Sequence, residues 1–209
     1  LAAAAEAGVQ TVCLVTHHLS EQIEQYVGDG SAWNLSAVFC RQPHLAGTAH
    51  GLQTAVSAHP TLFTRELPFI LTATDYVLPP DYLANLTAAH IHNGSDMTIS
   101  LKRLRLEEIM ASSSAQLSHD GQIGQIIEKP APEQISSPLA ASLTFVLPGA
   151  MLEYLSGMEP SSRGEFEIQS IINQMLHDGF TARGLEQEAP REWEVERDGA
   201  EAMRNVPQG

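Results

Sequence analysis

Residues 9–16 read VQTVCLVT, a nearly continuous apolar, β-branched run. It lacks the in/out alternation of a strand that keeps one face in water, so both of its faces need covering. Further strand-like runs are predicted at 36–41, 69–73, 97–104, 122–128, 142–147, 183–188 and 193–196. Between them, helices are predicted at 21–27, 49–58, 81–92, 151–156 and 168–177, with Ser20 as a cap on the first. Strands alternating with helices predict an α/β chain: a three-layer αβα arrangement around a mostly parallel, mixed sheet of Rossmann-like type. Residues 110–116, rich in Ala and Ser, are read as a surface insertion.

In such sheets ligands bind beyond the carboxyl ends of the strands. Two features lie there: Asp75, after the strand at 69–73, and the loop in RQPHLAGTAHGL, residues 41–52. Gly47-Thr48 ahead of a helix lets backbone N–H groups come close to a ligand. Gln42 supplies an amide donor and acceptor suited to the imide edge of a pyrimidine. Taken alone, the loop is first of all an ordinary strand-to-helix turn, and Asp75 a solvated acid.

Charge narrows the partners. With 25 acidic and 11 basic residues the net charge is −14, which argues against nucleic acid or an anionic membrane surface. Two cysteines in apolar runs, Cys13 and Cys40, are expected as buried thiols of a reducing compartment, and with no signal or spanning segment the expected location is cytoplasmic. None of the nine histidines sits in a zinc-like cluster, and no convincing Ser-His-Asp or Cys-His set is present.

Five short motifs in order carry a resemblance: HLAGTAHGL, the strand ending in Asp75, IIEKP (126–130), RGEFEIQSIINQMLHDG (163–179) and REWEV (191–195). Together with AEAGVQTVCLVTHHLSEQIEQYVGDG near the start, they resemble the sugar-1-phosphate nucleotidylyltransferases. The resemblance implies one nucleotidyltransferase domain over 1–209, with a nucleotide-binding portion at 1–120 and a sugar-phosphate-binding portion at 121–209. It also implies that the family's first strand and glycine-rich triphosphate loop precede Leu1, where the sequence opens on helix-like LAAAAEAG.

The roles implied are specific. Gln42, Gly47 and Thr48 would recognise the base, with His17 near the triphosphate. Glu128 and Glu165 would meet sugar hydroxyls, and Lys129 the sugar phosphate. Asp75, with Glu194 or Glu196 beside Trp193, would hold Mg²⁺. The implied reaction joins a nucleoside triphosphate and a sugar 1-phosphate into an NDP-sugar and pyrophosphate, in a protein free to form a homo-oligomer. The family's Gly before the Asp, Thr-Asp after Gly-Glu, and Asp after Trp are here Thr74, Gln169-Ser170 and Glu194. These departures motivate two rivals: a non-catalytic sugar-nucleotide-binding or regulatory homologue, and a cytidylyltransferase acting on a non-sugar phosphate.

Overall fold

The computed structural model describes residues 1–192 and Glu194. Its elements run α1 Ala2–Glu6, β1 Thr11–Thr16, α2 Ser20–Val27, β2 Ser36–Arg41, α3 Thr48–Ala58, β3 Phe69–Thr72, β4 Tyr76–Val77 and α4 Tyr82–Asn93. They continue with β5 Met97–Arg103, α5 Leu106–Ala111, β6 Ser113–Leu117, β7 Ile123–Glu128, β8 Leu139–Leu147, α6 Ile168–His177, β9 Ala182–Glu186 and β10 Arg191–Glu192. A 3-10 stretch, Gly149–Gly157, stands where an α-helix is predicted at 151–156. The strand predicted at 193–196 lies outside the described residues except at Glu194.

Strand order in the larger sheet is β3-β8-β5-β9. β8 runs antiparallel to both β3 and β5, and β5 runs parallel to β9, so β8 is the one reversed strand of this sheet. β1 and β2 form a separate parallel pair. Helix α1 packs on α4, which lies on β5 and β8, while α3 packs with α6 and the 3-10 stretch. Two helical groups thus sandwich the strands, as expected of the three-layer α/β plan.

Helix α6 shows why these residues form this layer. Ile168, Ile171, Ile172 and Met175 recur at helical spacing and are all buried at 2% exposure or less. They share one cluster with Ile99, Leu101, Phe145 and Leu147 of the sheet. Asn173 then fixes the helix to β7: its Nδ2 donates to the Ile126 carbonyl at 2.7 Å, and its Oδ1 accepts from the Ile126 N–H at 2.9 Å.

Two local expectations are corrected. Ser20 begins α2 without capping it; Leu19 holds the N-cap position in left-handed backbone, and Ser20 Oγ donates to the His17 carbonyl at 2.9 Å. The supposed insertion at 110–116 is the end of α5 and most of β6, whose Ser113, Ser114 and Ala115 are buried where β6 pairs with β7. Small side chains let this hairpin lie close to β8, and Ser113 Oγ accepts from the Ala141 N–H at 3.0 Å. Among the described residues, no helix is long and apolar enough to cross a membrane. Cys40 is buried and Cys13 half-buried, and both are free thiols.

Truncating the core face of α6 tests this packing. Ile172→Ala removes a fully buried side chain and is expected to destabilise the protein by about 2–5 kcal/mol. A urea melt unchanged in midpoint would show that α6 does not carry the core as described.

Candidate active-site cleft

One cleft of about 1700 Å³ runs across the molecule. Gln42, Gly47 and Thr48 line it, as do Lys129, Arg163 and Glu165. Residues 11–15 of β1 and 69–72 of β3 also line it without a break. Side chains alternate along a strand, so an unbroken run means that the cleft meets backbone edges. Among the described residues β1 pairs only with β2 and β3 only with β8, so both edges face the cleft with unpaired backbone groups.

Residues 46–49 and 166–168, which flank parts of this lining, are joined through backbone. The Phe166 N–H donates to the Ala46 carbonyl, and the Ala49 N–H to the Phe166 carbonyl, each at 2.8 Å. Thr48 Oγ1 accepts from the Ile168 N–H at 3.0 Å, satisfying one of the open donors at the start of α6. This approach is the reason for glycine at 47. With φ at +108°, a Cβ there would lie 2.4 Å from the Phe166 carbonyl oxygen. Gly47 therefore serves the closure of the loop onto residues 163–168 as well as any approach to a ligand.

Gln42, 8% exposed, donates from Nε2 to the Gly47 carbonyl at 3.2 Å and meets Nδ1 of His50 at 2.8 Å. His17 does not line the cleft; it holds the loop from behind, Nδ1 meeting the Gln42 carbonyl at 2.7 Å.

At the far end, β7 delivers Glu128 and Lys129. Lys129 has φ of +45°, unusual for a side-chain-bearing residue, and its N–H donates to the Ser112 carbonyl at 2.7 Å. Strained backbone of this sort persists where surrounding contacts hold it, and it clusters at functional sites. No ion pair engages Lys129 among the described residues. Arg163 is held by Glu167, with Nη2 at 2.7 Å from Oε1, and lies 3.9 Å from Glu128 and 3.7 Å from Glu165. Burial pushes the Glu128 carboxyl up; Arg163 opposes this and Glu167 adds to it. Gln169 Nε2 donates to Glu128 Oε2 at 3.2 Å, so the residue standing in place of the family's Thr still serves this pocket.

Asp75 is exposed in the bend after β3; its neighbours Thr74 and Tyr76 line the cleft while it does not. Strand β10 pairs antiparallel with β4, Glu192 opposite Tyr76 and Arg191 opposite Val77. Glu194 is itself exposed, and Trp193 and Glu196 lie outside the described residues. Among the described residues no group of three His, Cys, Asp or Glu side chains is arranged to hold a metal ion.

Motif reading left Arg163 and Lys102 without a role, although both line the cleft and Lys102 Nζ sits 6.0 Å from the Tyr76 ring centre. Arg163 stood in view within RGEFEI; only the fold shows that it faces Glu128. Cys13 also lines the cleft, but burial, then Cys40, pushes its thiol up to about 12, so it stays protonated and is no nucleophile at neutral pH.

The profile of the Nucleotidyl transferase family matches residues 1–193. The low-salt glycan biosynthesis nucleotidyltransferase Agl11 of Haloferax volcanii is 26% identical over 176 residues, covering 84% of this chain and 46% of its own. A glucose-1-phosphate thymidylyltransferase of Streptomyces antibioticus is 26% identical over 196 residues, with coverages of 88% and 49%. The chain thus spans about half the length of the curated relatives it matches. Among solved structures, UDP-glucose pyrophosphorylase complexed with UDP-glucose superposes with TM-score 0.74 at 19% identity, covering 97% of this chain and 84% of that one. Its apo form gives 0.73 at 18% identity, with coverages of 98% and 85%. These two likenesses speak for the fold.

Gly47→Ala is expected to lower stability by at least ~2 kcal/mol, since it adds positive-φ strain to a clash with backbone. A wild-type melting curve would show that the loop does not close as described. Glu128→Gln should do the opposite at neutral pH. The folded-state pKa of Glu128 is raised, so the folded protein holds that proton more tightly than the unfolded chain does. Stability tied to this group is therefore present at acid pH and lost as pH rises through the folded pKa. The amide escapes that loss, so the variant should melt higher than wild type at pH 7, with the gap closing on acidification. A lower melting point at pH 7 would mean that attraction to Arg163 outweighs burial.

Proposed function

Because the chain belongs to the nucleotidyl transferase family, we propose that its parent protein transfers a nucleotidyl group from a nucleoside triphosphate to a sugar 1-phosphate. The observation that carries this reading is a cleft lined both by Gln42, Gly47 and Thr48 and by Glu128, Lys129 and Arg163. Gln42 and the start of α3 suit a base, tilted toward a pyrimidine. Glu128 and Glu165 suit sugar hydroxyls as acceptors. Lys129, unpaired and in a fixed backbone conformation, suits a phosphate, and Arg163 stands ready to share it.

In the proposed reaction an oxygen of the sugar phosphate attacks the α-phosphorus of the triphosphate. The bond to the β,γ-diphosphate breaks, and pyrophosphate departs with the electron pair. Such transfer depends on positioning and on neutralising charge, and asks for no side-chain nucleophile. Asp75, exposed after β3, and Glu194, two residues beyond β10, are the two carboxylates that would hold Mg²⁺ together with phosphates and waters. Bound there, the ion would neutralise charge on the triphosphate.

The open edges of β1 and β3 support a further part of the proposal. An extended segment of the parent protein would lie between them, pairing with both and leading into the loop that wraps the triphosphate. Restoring the coding sequence upstream of Leu1 should then raise the melting temperature and create triphosphate binding. A longer chain that melts and binds as the 209-residue chain does would contradict this.

Pyrophosphate release by the full-length protein, assayed with each nucleoside triphosphate against a panel of sugar 1-phosphates, tests the reading itself. Binding without release from any pair would sink it in favour of a non-catalytic module. Lys129→Ala should raise the KM for the sugar phosphate roughly tenfold to a hundredfold, the worth of a charge-assisted hydrogen bond. An effect confined to the triphosphate would place Lys129 wrongly. Asp75→Asn should abolish Mg²⁺-dependent turnover with the fold intact, and unchanged turnover would remove it from the metal site.

A further inference from the structure

Side chains alternate along β5, so Met97, Ile99 and Leu101 enter the core while Thr98, Ser100 and Lys102 share the opposite face. Helix α4 covers that face. His90 Nδ1 and Asn93 Nδ2 each lie 3.0 Å from Thr98 Oγ1, and the Tyr82 hydroxyl meets Ser100 Oγ at 2.5 Å. Gln187 Nε2 also donates to Ser100 Oγ, at 3.0 Å. Tyr82 is the first residue of α4, so the helix starts level with Ser100 and its cover stops short of Lys102.

Beyond that cover lies the cleft, which Lys102 lines together with Tyr76. The ammonium sits 6.0 Å from the Tyr76 ring centre, a cation–π contact that holds it without neutralising it. No ion pair engages Lys102 among the described residues. Glu108 lies within reach of its field, but both oxygens of that carboxylate are bound to Arg105. In a chain with 25 acidic and 11 basic residues, a half-buried cation left without a carboxylate points to a negative charge supplied from outside.

The sheet places this cation where a ligand belongs. β8 runs antiparallel to both β3 and β5, so β3 and β5 point the same way and present their carboxyl ends on one side. Asp75 follows the end of β3, and Lys102 is the last residue but one of β5. In α/β sheets the ligand crevice lies beyond such ends.

We infer that Lys102 is a further phosphate-binding residue of the cleft, its ammonium meeting a phosphate oxygen of a bound substrate beside Tyr76. The inference rests on the reading that a nucleoside triphosphate and a sugar 1-phosphate bind here. Both offer the same chemistry, a multiply charged phosphate, and the compact charge of Lys suits it.

Calorimetry on the full-length protein, with UTP and separately with glucose 1-phosphate over a range of salt, tests this. Lys102→Met keeps the apolar stem against Tyr76 and removes the charge. It should raise the Kd of at least one ligand about tenfold or more, and flatten the salt dependence of that ligand's binding. The ligand whose Kd rises names the phosphate that Lys102 meets. Lys102→Arg keeps the charge and should restore most of the affinity. Both Kd values unchanged in Lys102→Met, or an equal loss in Lys102→Arg, overturns the inference while leaving substrate binding in place. Wild type that binds neither ligand overturns the underlying reading as well.

Discussion

Everything at this site depends on the backbone contact between residues 46–49 and 166–168. Two main-chain hydrogen bonds and one from Ile168 to Thr48 tie the loop after β2 to the segment that opens α6. These parts are more than a hundred residues apart in sequence, and only a glycine at 47 allows their backbones to come so close. The contact fixes where α3 starts and satisfies the start of α6. It also brings the 42–48 loop and the segment carrying Arg163 and Glu165 onto one cleft. Asn173 extends the same frame by docking α6 on β7, which carries Glu128 and Lys129.

The electrostatics of the far end follow from that frame. In a chain of net charge −14, a pocket for a phosphorylated ligand needs its cations concentrated, and Lys129 and Arg163 converge there. Arg163 is not left bare: Glu167 holds it, with Glu128 and Glu165 close by. Glu128 is kept half-sheltered among other acids and sits uneasily as an anion. That is a cost in stability carried at the place where the proposed function calls for an acceptor for sugar hydroxyls.

Much of the fold could be read from hydrophobic runs. The strands at 9–16, 69–73 and 97–104 stand out as apolar runs, and α6, with its four buried apolar residues, by its helical period. Pairing direction could not be read: β8 is largely apolar, with Ser142 and Thr144 buried in its middle, and such a run looks the same whichever way it points. The β6 strand was missed because Ser113, Ser114 and Ala115 are buried for their small size, a property that hydropathy does not register. At the site, the motifs located the 42–48 loop and the Glu128-Lys129 pair. The value of Gly47 as a backbone contact and the place of Arg163 come from long-range neighbours that a linear pattern cannot contain.

The central claim is that one continuous cleft, held in register by the 46–49 to 166–168 contact, takes both halves of a nucleotide sugar. Backbone amide shifts of the full-length protein titrated with UDP-glucose test this most directly. The account predicts that Gln42 and Gly47 at one end, and Glu128 and Lys129 at the other, shift together along one isotherm with a single Kd. Shifts confined to one end, or two ends titrating with different affinities, would contradict it.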